Sequence, residues 1–378
     1  MNQTPVTPDE VHDKASEVLG QEIISYMKAE YLHENIPHPS LENFKQTLIY
    51  YPEYPRQIED SSGKIITIHK PLERILAYNY HAISLLHSND KVIGVAHSAL
   101  ADSDVIPSLN NKIDIGGGGP YEPDFERILS SEPDALLSYS NLGPGKDFFE
   151  NRLPNSIPVI RLDIIRPQTI REEIIKLGYL LDKQKEAQEY VTWYDSVVNP
   201  IKFKIAQIPP DKRARVFLDV WNGNASFTER KTNSASDPYN QYCVDAGVIN
   251  IAAHAVGPSG TIDTEWIMKE NPDVILGLAY KGGYNTDNIT DLKDQYDEIM
   301  QLPLLQNSSA IRNNRVYIIG FRFTNGPTYP AAFATMAKWM YPELFRDLNP
   351  EEIHQEYVNR FLGSNYTVSD HGVYYYPK

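Results

Sequence analysis

One segment of this chain occurs twice. Glu126-Arg-Ile-Leu-Ser-Ser-Glu-Pro-Asp134-Ala-Leu-Leu matches Glu265-Trp-Ile-Met-Lys-Glu-Asn-Pro-Asp273-Val-Ile-Leu, each position 139 residues from its counterpart. In both copies a short helix beginning near the glutamate has to end before Pro-Asp, because the residue before a proline is pushed out of the helical region. A buried strand follows each time. A single helix, Pro-Asp and strand is a common connection and would say little. Two copies argue for two pseudo-symmetric halves.

The rest of the chain fits that division. From about Arg56, short β-branched runs alternate with helical patterns: Arg74–Tyr78, Val92–Ala96, Ala135–Tyr139 and Val159–Leu162, then Arg215–Val220, Val274–Ala279 and Val316–Gly320. That is the βαβ rhythm of a parallel sheet, met twice. Between the two series Ala187, Val191, Tyr194, Val198, Ile201, Ile205 and Ile208 recur at alternating spacings of four and three. They make one apolar face of a helix from Gln184 to Ile208, roughly 37 Å long at 1.5 Å per residue. Pro200 is expected to kink it. The expected organisation is a helical extension over 1–55, an N-terminal α/β lobe over 56–182, a linking helix over 183–208, a C-terminal α/β lobe over 209–328, and helices with a tail over 329–378. Thr7-Pro8-Asp9-Glu10 reads as a helix start for the extension, with Val11, Ala15, Leu19, Ile23 and Met27 as its stripe.

Composition narrows the function. The 378 residues carry a net charge of −15, which disfavours nucleic acid and anionic lipid, since both need a basic footprint. One cysteine, Cys243, excludes iron–sulfur clusters, paired-cysteine zinc sites and an internal disulfide; it reads as a small buried side chain. There is no HExxH, GxSxG or Walker motif. Gly116–Gly119 lacks the Lys-Ser/Thr of a phosphate loop, and Pro120 removes a cradling N–H, so close packing at a rim is the better reading.

Four stretches in order resemble the helical-backbone (class III) substrate-binding proteins of ABC importers for iron-siderophore, haem or cobalamin. They are IEDSSGKIITIHKPLERILAYN (Ile58–Asn79), the two Glu-x-Ile-Leu/Met helices ending in Pro-Asp, LGYLLDKQKEAQEYVTWYDSVV (Leu177–Val198), and VYIIGFRFTNGPTYPAAFATMAKWMYPELF (Val316–Phe345). The likeness covers about Arg56 to Arg346. It implies two α/β lobes with central parallel sheets, joined by one long backbone helix, with the ligand in the cleft between them. It also implies no catalysis, no resident cofactor, permease subunits as partners, and delivery of an iron chelate or haem. A corrinoid is the alternative within the same fold, and a metal-dependent hydrolase the alternative of another class. The start, Met1-Asn2-Gln3-Thr4-Pro5, has no basic or apolar signal pattern. By itself that start fits either a cytoplasmic protein or one whose signal or anchor was removed. The resemblance implies the second, an extracytoplasmic protein whose signal or anchor is not present in this sequence and which touches a membrane only through that anchor.

Ligands on open α/β sheets sit at the loops after the strand C-termini. Those loops supply Tyr80, His81, Tyr121 and Tyr139 from the first lobe and Trp221, Tyr239 and Arg322 from the second. Aromatic groups on both sides suit a broad, partly flat ligand, and phenol and imidazole also suit iron. No metal-ligand set is assigned. His81 reads equally well as a cap residue. Arg322 is the stronger candidate, because an arginine in a strand-end loop of an acidic protein needs an anion, which a carboxylate-bearing chelate would supply. In the resembled family the glutamates at the positions of Glu126 and Glu265 pair with arginines of the transporter. The plainer alternative is that each complements a helix dipole.

Overall fold

The computed structural model describes residues 53–378, without 118, 141, 144, 146, 221–226 and 238. The helix expected from Thr7 onward lies outside the described residues. Strands β1 (Arg56–Glu59) and β2 (Ile65–Ile68) pair antiparallel around a turn in which the Asp60 carboxylate accepts from the backbone N–H of Ser62 (2.9 Å) and Lys64 (3.1 Å). Strands β3 (Ile75–Ala77), β4 (Val92–Val95), β5 (Ile113–Asp114), β6 (Ala135–Ser138) and β7 (Val159–Arg161) form a wholly parallel sheet in the order β5-β4-β3-β6-β7. Every residue of β3, β6 and β7 is buried, as expected where helices cover both faces of a parallel sheet.

The second lobe repeats the plan with β8 (Arg215–Val220), β9 (Glu229–Lys231), β10 (Ile249–Asn250), β11 (Thr261–Asp263), β12 (Val274–Ala279), β13 (Val316–Gly320) and β14 (Tyr375–Tyr376). Five of these make a sheet in the order β10-β8-β12-β13-β14, while β9 and β11 pair separately. This sheet is not wholly parallel. The tail returns as β14, antiparallel to β13, with Tyr375 opposite Ile319 and Tyr376 opposite Ile318. A two-residue strand at the end of a tyrosine run carries no periodicity that would announce it.

The duplication has a physical basis. The Asp134 carboxylate accepts from the N–H groups of Glu73 (2.9 Å) and Arg74 (3.0 Å), and its own N–H donates to the Arg74 carbonyl (2.8 Å). In the second lobe the Asp273 carboxylate accepts from Arg215 N–H (2.9 Å), and Asp273 N–H donates to the Arg215 carbonyl (2.8 Å). Glu132 and Asn271, the matched residues before each proline, both adopt left-handed φ (46° and 48°). Each Pro-Asp therefore ends a helix and clamps the central strand pair of its lobe, β3 with β6 and β8 with β12.

One helix, Gln184–Ala206, joins the lobes; at 1.5 Å per residue it is about 34 Å long, with Pro200 inside it. Its buried face includes Ala187, Tyr194, Val198, Ile201 and Ile205, as the spacing predicts, and is widened by Tyr190 and Trp193. It is tied to both sides: Tyr194 Oη donates to the Pro167 carbonyl (3.3 Å) and Tyr190 Oη to the Pro327 carbonyl (2.9 Å). Trp193 packs on Phe361, from the C-terminal helical segment, at 5.1 Å between ring centres. The helix is seated through Gly178, in the preceding helix Ile170–Leu181. A Cβ there would stand 2.5 Å from Ala187 Cβ and 2.9 Å from the Lys183 carbonyl oxygen. Replacing Gly178 by Ala is expected to cost about 1–3 kcal/mol by overpacking, read as a lower urea midpoint with unchanged slope. An unchanged midpoint would show that the two helices are not held this tightly.

Candidate functional site

In each sheet the strand order reverses once, between β3 and β6 and between β8 and β12. The loops leaving those strands diverge and open a crevice. A cleft of about 340 Å³ lies there, between the lobes. After β3 the chain runs through Asn79, whose amide donates to the carbonyls of Ser138 (3.0 Å) and Leu162 (3.3 Å), into the helix Tyr80–Leu85. This fixes Tyr80 and His81 on the cleft wall. Tyr139 follows β6, and its hydroxyl donates to the Tyr78 carbonyl (3.1 Å). From the other lobe Tyr280 and Tyr284 follow β12, and Phe321 and Arg322 follow β13.

The centre of this arrangement is Asp102, 2% exposed and part of the cleft lining. Its Oδ2 accepts from the Tyr80 hydroxyl and stands 3.2 Å from His81 Nε2, and its Oδ1 accepts from Arg322 at 3.4 Å, across the cleft. Burial pushes the carboxyl up. The hydrogen bond from His81, the charges of His81 and Arg322, and the Tyr80 hydroxyl outweigh it, so Asp102 titrates below the usual range. A carboxylate only accepts, so the facing His81 Nε2 carries a proton. Burial and the Asp102 charge push the Tyr80 phenol well above its ordinary range, and burial raises Tyr139 to about 12. Both phenols are therefore neutral hydrogen-bonding groups at pH 7.

Five of the seven residues selected from sequence line the cleft: Tyr80, His81, Tyr121, Tyr139 and Arg322. Tyr121 stands at the rim, 61% exposed. Tyr239 is not among the lining residues; it packs behind Phe321, edge-on at 5.6 Å. Trp221 lies outside the described residues. The anion sought in a ligand for Arg322 is present in the protein, as Asp102. Asp102, Tyr280, Tyr284 and Phe321 line the cleft as well and are not among the seven selected. The strand-end rule reaches Tyr280 and Tyr284, and Phe321 directly follows β13, whereas Asp102 lies beyond a short helix after β4 and belongs to no motif.

Of the glycine run, Gly116 and Gly117 pack closely and Gly119 lines the cleft. Gly116 and Gly117 hold left-handed φ (90° and 68°), and a Cβ on Gly116 would meet Asp124 N at 2.8 Å. Glu126 and Glu265 are both exposed, each two residues after an Asp N-cap (Asp124 and Asp263), and neither has an ion-pair partner among the described residues. Cys243 is buried. Among the described residues no group of three or more His, Cys, Asp or Glu is placed to hold a metal ion, and no helix is long and apolar enough to cross a membrane.

Residues 83–323 match the model of the periplasmic binding protein family. The chain belongs to that family. Family and fold are those of two-lobed solute-binding proteins rather than enzymes. Among its relatives, the ferric-anguibactin-binding protein FatB of Vibrio anguillarum is 24% identical over 277 residues, covering 71% of this chain and 80% of that one. The iron-uptake system-binding protein of Bacillus subtilis is 25% identical over 202 residues, 53% of this chain and 59% of that one. The TroA-like periplasmic binding protein FepB from Veillonella parvula superposes with a TM-score of 0.69 at 21% identity, over 85% of this chain and 99% of its own. Crevices between lobes and at sheet switch points are the usual places for ligands on such folds.

One wall here is braced from outside the family match. Tyr284 Oη is 2.7 Å from Nε2 of the buried His354, and the Tyr366 hydroxyl donates to the Tyr284 carbonyl (2.9 Å). Burial drives the His354 pKa from 6.5 down to about 3. Between those values the unfolded chain binds a proton that the folded chain excludes, so stability falls as pH falls below 6.5, by at most about 1.4 kcal/mol per pH unit. His354→Gln, which keeps a partner for Tyr284, is expected to flatten that part of the pH dependence in urea titrations from pH 7 to 4.5. An equally steep loss in the variant would place the acid sensitivity elsewhere.

Proposed function

We propose that this protein captures a ferric chelate in the interlobe cleft, outside the cytoplasm, and hands it to the membrane subunits of an ABC importer. The observation that carries this is the cleft itself: phenol, imidazole and guanidinium groups from both lobes converge on one crevice at the two sheet switch points. Such groups supply stacking area and neutral or cationic donors for a broad chelate, without a preformed cage for a bare metal ion. The names of two relatives, one ferric-anguibactin-binding and one of an iron-uptake system, support iron as the cargo. Haem and corrinoids are the competing ligands for the same cleft.

Glu126 and Glu265 are the docking pair in this reading. They occupy the same turn of equivalent helices, one per lobe, exposed and unpaired among the described residues. A two-fold membrane partner can meet each with an equivalent cation. Such rim charges govern association rate and register more than raw affinity.

The test combines fluorescence titration with transport in vesicles carrying the importer. A ferric chelate is expected to quench tryptophan emission saturably, with haemin and cobalamin weaker. The double change Glu126→Ala with Glu265→Ala is expected to leave that affinity as it is and to slow transport, more so at raised salt. Tighter binding of haemin or cobalamin would reassign the cargo. Loss of chelate binding in the double variant, or normal transport, would remove the docking role.

A further inference from the structure

We infer that the cleft selects ferric chelates of low net charge, and that Asp102 is the residue that imposes this selection by cancelling Arg322 from within the protein. This rests on reading the cleft as a ferric-chelate site. The groups that set its charge are few. Apart from tyrosines, the titratable side chains lining it among the described residues are His81, Asp102 and Arg322. Arg322 is 39% exposed and lines the cleft; Asp102, almost fully buried on the facing lobe, lies 3.4 Å from its guanidinium. Asp102 and Arg322 carry opposite charges and offset one another within the protein.

The pairing is built in. Both Asp102 oxygens are used, Oδ2 by Tyr80 and His81 and Oδ1 by Arg322, so the carboxylate cannot turn away without leaving three donors unpaired. Its backbone is held as well: Asp102 N–H donates to the Ala99 carbonyl (3.0 Å), and its own carbonyl accepts from Val105 (3.1 Å) and Ile106 (2.9 Å). An incoming trianion would therefore meet an arginine whose charge is already offset by a fixed negative charge beside it, in a poorly screened place. An uncharged chelate meets neutral phenols and aromatic faces, and loses nothing to that charge. Asp102 thus acts through Arg322, Tyr80 and His81 as a positioning residue, and it also sets the sign of the field.

The experiment compares a hexadentate ferric trihydroxamate, which is uncharged, with a hexadentate ferric triscatecholate, which is trianionic, by equilibrium binding to the whole protein. The unmodified protein is expected to prefer the uncharged complex. In Asp102→Asn, which keeps the shape and removes the charge, the ratio of affinities is expected to move toward the trianion by about tenfold or more, and the gain to shrink with added salt. Arg322→Gln, which leaves Asp102 uncancelled, is expected to move the ratio the opposite way. A structural defect would weaken both complexes and could not raise affinity for one. Preference of the unmodified protein for the trianion, or a ratio that stays within about twofold in Asp102→Asn, overturns the selection by charge and leaves the ferric-chelate reading standing. Failure of the unmodified protein to bind either complex overturns that reading, and this inference with it.

Discussion

Two lobes hung on one helix can form a binding cleft only if the helix is held by both, and the buried face of Gln184–Ala206 does this. Ala187 is close enough to Gly178 to leave no room for a methyl group between them, which seats the helix against the first lobe's last helix. Tyr194 and Tyr190 then hydrogen-bond to carbonyls on opposite sides, at Pro167 and Pro327. Pro327 lies in the segment that lines the cleft. The spacer and the binding wall are therefore one packed unit. A rigid link of this kind limits hinge travel and favours recognition by a preformed surface, which lowers the ordering cost of binding.

Within the cleft the lobes meet again through Asp102 and Arg322. This ion pair is asymmetric: the carboxylate is buried and saturated, while the guanidinium is partly in solvent. Breaking it would strand a buried charge, whereas a ligand that leaves it intact can still use the outer face of Arg322. The same pair thus decides what charge the cleft tolerates. The opposite wall depends on the tail, since Tyr284 is fixed by His354 and Tyr366, and Gly283 pairs with Val373 in both directions (2.7 and 3.0 Å). Residues outside the family match therefore shape the part of the site that faces the ligand.

Much of this was legible in the sequence where the physics is local. Strands β8, β12 and β13 are runs of mostly apolar residues and fall at the residues read from sequence, and the Pro-Asp repeat pointed to paired lobes because each copy makes the same backbone clamp. Strands β5, β10 and β14, two residues each, are too short to carry a period. Tyr190 and Trp193 widened the helix's buried face, Tyr190 with its hydroxyl on the Pro327 carbonyl and Trp193 through ring packing on Phe361. At the site, the strand-end rule found five lining residues. It misplaced Tyr239, whose ring is used by Phe321, and it passed over Asp102. The partners of Asp102 are 21, 22 and 220 residues away, and only the fold brings them to one carboxylate.

The central claim is that one seated helix fixes the lobes and so presents a preformed cleft. The direct measurement is the distance between the lobes with and without ferric chelate, by pulsed electron paramagnetic resonance on spin labels at Glu126→Cys and Glu265→Cys. Both positions are exposed, and the native Cys243 is buried and so protected from the label. The account predicts a change of less than about 3 Å in the most populated distance, without broadening in the free protein. A shift of roughly 10 Å, or a broad free-state distribution that narrows on binding, would mean a wide hinge and would contradict it.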